Sequence, residues 1–256
     1  MTVTESPPVR FVIFAAPRTG SNLLCGLLNA HPDVLCHHGV FNPDGIHYAH
    51  DESDFVRDIS DRDADPLRFV ERIWAAAARR RAVGFKMNRG ENGVAVDALL
   101  RDLAVRKILL KRRNRVRAYV SETIAKMTGL WESYGAPDRA SIPAIRVDPV
   151  ELRRHAALNA RYYAALESVL AATGQAWLET EYESLANRYE IARILSYLDV
   201  SDVTVLDAQT FKRGPADLQE VVANLAELEW ALRGSSLFAE LHEQDLPDLR
   251  FHRPVS

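Results

Sequence analysis

The chain has 256 residues, 47% of them apolar and 26% charged, which is typical of a globular protein large enough for one α/β domain. Its 32 basic and 35 acidic residues give a net charge of −3, which argues against a general nucleic-acid binder. No apolar run approaches the roughly 20 residues of a membrane-spanning helix, and the polar N-terminus resembles no targeting peptide. We therefore expect a cytoplasmic protein with no transmembrane segment and no nucleic-acid partner.

The first predicted elements are a buried strand at about 10–16, a tight turn, and a helix at about 20–30. Pro17 ends the strand because it has no N–H for the sheet ladder. Gly20 allows a sharp turn and a close approach to a ligand. Such a turn presents free N–H groups and the positive end of a helix dipole, and Arg18 adds a bidentate cation. The pattern predicts a phosphate or sulfate cradle, formed by Pro17, Arg18, Thr19, Gly20, Ser21 and Asn22.

Further strands alternate with helices along the rest of the chain. The predicted strands are about 34–36, 82–87, 106–112 and 176–180; the predicted helices are about 66–80, 94–103, 114–126, 149–173, 181–199 and 216–232. This alternation predicts one domain over 1–256 with a central parallel sheet, a loose segment at 1–9 and a polar tail at about 236–256. Ligands of such sheets bind beyond the carboxyl ends of the strands. The loop-like segments 43–65 and 128–147 are candidate acceptor-binding regions.

The two cysteines, Cys25 and Cys36, form neither a disulfide framework nor a zinc pattern, and Cys25 is predicted to be a buried thiol. No other histidine, cysteine or carboxylate spacing predicts a metal site. A Walker A loop would need a lysine that the cradle lacks, which disfavours a kinase-like phosphotransferase.

A second basic cluster, Lys111 to Arg117, follows the fourth strand and opens a helix. A charge run of this kind is commonly a solvated face. Its place at a strand end also allows Arg113, with Ser121 eight residues later, to clamp a phosphate at two points. Two anion sites at neighbouring strand ends suggest one ligand with phosphates at both ends.

These motifs resemble those of the sulfotransferases that use 3′-phosphoadenosine 5′-phosphosulfate (PAPS), especially bacterial members near the nodulation-factor and glycolipid sulfotransferases. The cradle, continued by Leu23-Leu24, is similar to the family's 5′-phosphosulfate loop, and Arg113 and Ser121 are spaced like its 3′-phosphate residues. Three more stretches fit the family: Leu28-Asn29-Ala30-His31-Pro32, Tyr182-Glu183-Ser184-Leu185 and Gln209-Thr210-Phe211-Lys212-Arg213-Gly214-Pro215.

The resemblance implies a P-loop-like three-layer α/β fold with a central parallel sheet flanked by helices. It implies transfer of a sulfuryl group from PAPS to a hydroxyl of a small molecule, glycan or glycolipid, with release of 3′-phosphoadenosine 5′-phosphate (PAP). In this interpretation Arg18 and the cradle hold the phosphosulfate, Arg113 and Ser121 hold the 3′-phosphate, and Lys212 and Arg213 close over the nucleotide. No metal is implied, because the cations are side chains.

The catalytic base is the chief departure from the family pattern. Related bacterial enzymes often carry a glutamate where this chain has Gly39, in the segment His37-His38-Gly39-Val40-Phe41-Asn42-Pro43. The candidates for the base are therefore His38 or His37, or an acidic residue among Asp44, Asp51 and Glu52. The alternative is a nucleotide-binding protein of the same fold with weak or no transfer. Lys86, Trp131 and Tyr134 are further candidates for lining the site.

Overall fold

A computed structural model describes residues 7–49, 58–76, 80–131, 144–201 and 217–243 of the chain. The five predicted strands are all present in these segments, and they form one sheet in which every paired neighbour is parallel. The sheet order is β2-β3-β1-β4-β5. The strands are β1 (Val9–Ala15), β2 (Val34–Gly39), β3 (Ala82–Asn88), β4 (Val105–Lys111) and β5 (Leu178–Glu181).

Helices connect the strands and cover both faces of the sheet. Those in the described residues are α1 (Ser21–Asn29), α2 (Ile59–Ala64), α3 (Pro66–Ala75), α4 (Gly93–Arg101), α5 (Arg115–Thr128), α6 (Pro149–Ala172), α7 (Arg188–Tyr197), α8 (Leu225–Leu232) and α9 (Ser236–His242). Within the described part of the chain, no helix combines the length and apolar character needed to cross a bilayer.

The core consists of apolar layers on the two faces of the sheet, because side chains of a strand alternate between faces. Val12 and Phe14 of β1 belong to the layer that α3, α4 and α6 cover. Phe11 and Ile13 belong to the opposite layer, beneath α1 and α7. A third cluster joins α5, α6, α8 and α9 beside the sheet. The predicted three-layer α/β fold with a central parallel sheet is confirmed.

Several predicted boundaries were wrong. The second strand continues to Gly39, so His37 and His38 lie inside it. The helix predicted at 181–199 begins only at Arg188, because Asn187 caps it by accepting the N–H of Tyr189. Residues 182–184 form a short 3₁₀ turn before that cap.

Helices also occur in two stretches that were assigned no regular structure. In the segment predicted as a loop, α2 starts at Asp58, whose carboxylate accepts the N–H of Ser60 at 2.7 Å. The guanidinium of Arg62 is buried and donates to the carbonyls of Val40 and Asn42. It thereby ties α2 to the end of β2. In the stretch predicted as a polar tail, α9 buries two leucines in the third cluster.

Candidate functional site

The predicted cradle lies between β1 and α1 at the carboxyl edge of the sheet. Arg18 has φ +61° and Gly20 has φ +89°, so the chain turns through the left-handed region twice before the helix begins. Gly20 is the N-cap of α1, and no side chain of the described residues caps this end. Gly20 has no side-chain oxygen that could cap the first N–H groups of α1, which suits this helix end to an anion.

Tyr182 fixes the close packing of this turn. A Cβ atom at Gly20 would lie 2.4 Å from Cδ2 of the Tyr182 ring, so only glycine fits there. The guanidinium of Arg112 stacks on the same ring at 4.4 Å from its centre. Its Nη1 donates to the carbonyl of Arg18 at 3.1 Å. The ring and the guanidinium together stabilise the conformation of the turn.

Tyr163 of α6 holds the ends of two neighbouring strands. Its hydroxyl accepts the N–H of Ala16 at 2.8 Å and donates to the carbonyl of Leu110 at 2.6 Å. Burial raises the pKa of Tyr163 to about 12, against the opposing effect of hydrogen bonds from Ala16 and Thr19. The hydroxyl therefore stays protonated and can keep both hydrogen bonds.

Arg18 brings together two regions that the sequence assigned to opposite ends of the ligand. Its Nε donates to Oγ of Ser121 on α5 at 2.9 Å, and its Nη1 donates to the carbonyl of Trp131. The predicted cradle after β1 and the helix that follows β4 are thus in direct contact.

Arg113 lies at the start of α5, and its side chain is 59% exposed. Its Nη1 is 3.5 Å from a carboxylate oxygen of Glu181, while Ser121 pairs with Arg18. The carboxylate of Glu183 accepts the N–H groups of Arg113 and Asn114 at 3.0 and 3.1 Å. This gives the Tyr182-to-Leu185 stretch a physical role: Tyr182 supports the cradle and Glu183 binds the N–H groups at the entrance to α5.

No family model matches the chain. Nodulation protein H of Rhizobium tropici is 27% identical to it over 246 residues, which cover 94% of this chain and 96% of that protein. The predicted resemblance to the sulfotransferases is confirmed.

Several solved structures of sulfotransferases are also similar to this chain. A sulfotransferase from Alicyclobacillus acidocaldarius has a TM-score of 0.47 and 20% identity, covering 94% of this chain and 98% of its own. A sulfotransferase domain from the curacin biosynthetic pathway scores 0.43 with 13% identity, covering 75% and 74%. A mouse sulfotransferase complexed with PAP scores 0.39 with 14% identity, covering 92% and 74%.

The two histidines on β2 that the sequence offered as candidates for the base are buried. His37 and His38 are 0% and 3% exposed. Nδ1 of His37 accepts the N–H of Ala49 at 3.1 Å, and its ring contacts the edge of Tyr48. Asp44 is exposed, and its own N–H donates to the Asn42 side chain. Each of these candidates stays a prediction.

The strand end beside Gly39 carries a buried cation. Lys86 of β3 stands opposite Gly39 in the sheet register and is 5% exposed. Its ammonium group donates to Oδ1 of Asn22 in the cradle. Lys86, predicted as a possible site residue, is thus placed next to the cradle.

Five sequence-predicted site residues lie outside the described residues: Asp51, Glu52, Tyr134, Lys212 and Arg213. Conversely, sequence reasoning missed Tyr163 as a part of this edge of the sheet, because it assigned that residue to the core. It placed Arg112 and the residues after Lys86 at the edge but gave no individual role to Arg112, which lies in a charge run, or to Glu91, which lies in an ordinary turn.

Proposed function

We propose that this chain is a sulfotransferase that moves the sulfuryl group of PAPS to a hydroxyl of a small-molecule, glycan or glycolipid acceptor, releasing PAP. The contact between Arg18 and Ser121 carries the proposal, because it joins the phosphosulfate loop to the helix assigned to the 3′-phosphate. This contact places the two predicted phosphate-binding regions side by side, as one nucleotide with phosphates at both ends would require.

The residues of the cradle suit a phosphosulfate. The turn at Gly20 leaves no room for a Cβ because the Tyr182 ring fills that space, so the glycine and the ring fix the sharp turn that precedes α1. The backbone N–H groups of the turn, the Arg18 guanidinium and the Ser21 hydroxyl supply donors, and the cradle contains no carboxylate. Such a donor set matches an anion that carries several acceptor oxygens.

The reaction follows from this arrangement of donors. The acceptor oxygen forms a new bond to sulfur as the bond between sulfur and the bridging oxygen breaks, and the electron pair leaves with PAP. Negative charge develops on the bridging oxygen. Arg18 and the cradle N–H groups stabilise that charge, and fixed donors of this kind lower the barrier most when they need no reorganisation.

Titration with PAP tests the proposal directly. We expect PAP to raise the thermal unfolding midpoint in a concentration-dependent manner, because it binds the folded chain only. Adenosine 5′-phosphate, without the 3′-phosphate, serves as the matched control and should give a smaller shift. The absence of any shift with PAP would contradict the proposal, whereas a shift without sulfuryl transfer would indicate a nucleotide-binding protein.

Arg113→Ala separates the two ends of the ligand. We expect this substitution to weaken PAP binding roughly tenfold or more, since a hydrogen bond to a charged group contributes about 1.5–3 kcal/mol. Binding of adenosine 5′-phosphate, measured by the same calorimetric titration, should change far less. Equal losses for both ligands would show that Arg113 does not bind the 3′-phosphate.

A further inference from the structure

Glu91 lies in the turn that follows β3, three residues beyond Asn88 at the end of that strand. Asn88 stands opposite Ala15 of β1, and the next residue, Arg89, donates its N–H to the Ala15 carbonyl at 2.8 Å. The turn that carries Glu91 therefore adjoins the strand that leads into the cradle.

Within the described residues, one oxygen of the Glu91 carboxylate accepts a hydrogen bond and the other does not. Oε1 accepts the side-chain N–H of Asn88 at 2.9 Å. Oε2 is buried and has no hydrogen-bond partner among the described residues, and the same holds for the hydroxyl of Tyr162. Burial raises the pKa of Glu91, against the opposing effects of Asn88 and of the charges of Lys86 and Arg62. A buried acceptor oxygen without a donor costs stability unless a ligand supplies the missing hydrogen bond.

The neighbours of Glu91 belong to the strand ends around Gly39. Lys86 lowers the pKa of Glu91 electrostatically, stands opposite Gly39 and donates to Asn22 of the cradle. Arg62 also acts on Glu91, and it binds the carbonyls of Val40 and Asn42, just after Gly39. Glu91 thus follows the strand that pairs with Gly39 on one side and with Ala15 on the other, at the edge of the sheet that carries the cradle.

We infer that Glu91 is the catalytic base of the sulfuryl transfer, its free Oε2 accepting the proton of the acceptor hydroxyl. The inference rests on the proposed function. As the acceptor oxygen bonds to sulfur, its proton passes to Oε2 and later to solvent, while the electron pair of the broken bond leaves on PAP. Asn88 orients the carboxylate through Oε1. A carboxylate with a raised pKa is a stronger base than an ordinary glutamate.

The decisive variant is Glu91→Gln, which keeps the shape of the side chain and the partner Asn88. The matched control is Asp97→Asn, which also removes one carboxylate, but from an exposed ion pair with Arg101 on α4. The rescue variant adds Gly39→Glu to Glu91→Gln. A Cβ at Gly39 would lie 3.3 Å from Cβ of Asn42, which a small shift accommodates.

Three quantities are measured for each variant: PAP affinity by calorimetry, the thermal unfolding midpoint, and transfer from PAPS carrying ³⁵S. The acceptors are 4-nitrophenol, glucose, glycerol and water, the last followed as release of inorganic sulfate. For Glu91→Gln we expect kcat with the best acceptor to fall roughly 10²- to 10⁴-fold, which is the usual contribution of general base catalysis. The acid limb of its pH profile should disappear, while PAP affinity stays unchanged and the unfolding midpoint does not fall.

The remaining variants complete the test. Asp97→Asn should match the wild type, and Gly39→Glu should restore part of the lost kcat. Turnover by Glu91→Gln at the wild-type rate would overturn the inference and leave the proposed function standing. A wild type that binds PAP but transfers to none of the acceptors, water included, would also overturn it. A wild type that does not bind PAP would remove the proposed function itself.

Discussion

Arg18 and Gly20 set the shape of the cradle through their backbone angles. Both occupy the left-handed region, which costs a residue with a Cβ about 1–2 kcal/mol. Arg18 is held in this conformation by the hydrogen bond that Arg112 donates to its carbonyl. The strained backbone directs the Arg18 side chain toward Ser121, so the conformation belongs to the site.

Arg18→Ala should reduce turnover more than it reduces nucleotide binding. The partner of the guanidinium is the charge that grows on the bridging oxygen, so the interaction is strongest in the transition state. We expect kcat to fall on the order of 10²-fold or more, as when one oxyanion donor is removed. Steady-state kinetics and PAP calorimetry measure the two effects, with Arg18→Lys as the milder comparison. An equal loss in kcat and in affinity would contradict this role.

Gly20→Ala should destabilise the fold more than Gly174→Ala does. Both glycines have positive φ, but a Cβ at Gly174 meets nothing within 4 Å, whereas one at Gly20 meets Tyr182 at 2.4 Å. The difference between the two variants isolates the clash, which we expect to lower the free energy of unfolding by a further amount of about 1–3 kcal/mol. Urea unfolding measures both free energies. Equal losses would show that the ring moves aside freely.

At the scale of elements, the candidate site depends on how α6 joins the ends of two strands. The register pairs Ala15 of β1 with Leu110 of β4, and the Tyr163 hydroxyl bonds to the carbonyl of Leu110 and to the N–H of Ala16. The helix thus sets the distance between the two strand ends from which the cradle and the basic cluster depart.

Tyr163→Phe should cost about 1–3 kcal/mol of unfolding free energy, because it leaves a buried N–H and a buried carbonyl without the hydroxyl. The neighbouring Tyr162→Phe is the matched control. Its hydroxyl has no hydrogen-bond partner in the described segments, so its removal should leave stability unchanged or slightly higher. Chemical denaturation measures the unfolding free energy of both variants. Similar losses in the two would show that the effect comes from packing and not from the hydrogen bonds of Tyr163.

Sequence patterns predicted the elements well where one local signal dominated. The apolar runs of β1 and β4 and the long periodic helix α6 each carry such a signal. The helix predicted from 181 failed because its start depends on the Asn187 cap rather than on periodicity. Helix α2 was missed because it is short and polar, and its contribution comes through the single buried residue Arg62.

Within the candidate site, the turn between β1 and α1 could be predicted because proline and glycine have strong local preferences. The base was not, because the environment of Glu91 depends on Asn88 and Lys86 on β3 and on Arg62 on α2. Burial of a carboxylate by separate elements leaves no mark in spacing or composition.

At the scale of the whole molecule, a buried polar group links α5 to α6. Nε2 of His155 lies 3.0 Å from Oε2 of Glu122, and Lys126 lies 2.6 Å from Oε1. Burial alone would raise the pKa of Glu122, but hydrogen bonds and charges from His155 and Lys126 lower it from 4.5 to about 2. The ionised carboxylate therefore stabilises the folded state.

The sign of the pH dependence follows from this lowered pKa. The stabilisation is fully present above about pH 4.5 and is lost as the pH falls from there toward 2. Glu122→Gln should therefore flatten the acid limb of stability, with a loss near neutral pH of no more than about 3 kcal/mol, at 1.4 kcal/mol per pKa unit. Denaturant unfolding at several pH values measures the slope. If Glu122→Gln loses stability at acid pH as steeply as the wild type, the ionised Glu122 carboxylate is not the source of that pH dependence.

The supports of the cradle come from distant parts of the chain. Arg112, Ser121 and Tyr163 stand 94, 103 and 147 positions away from the loop residues that they bind. Bringing together residues so far apart in sequence costs conformational entropy, which only the packing of the whole sheet and its helices offsets. The shape of the cradle is therefore a property of the complete fold, and a peptide that carried the loop alone would not keep it.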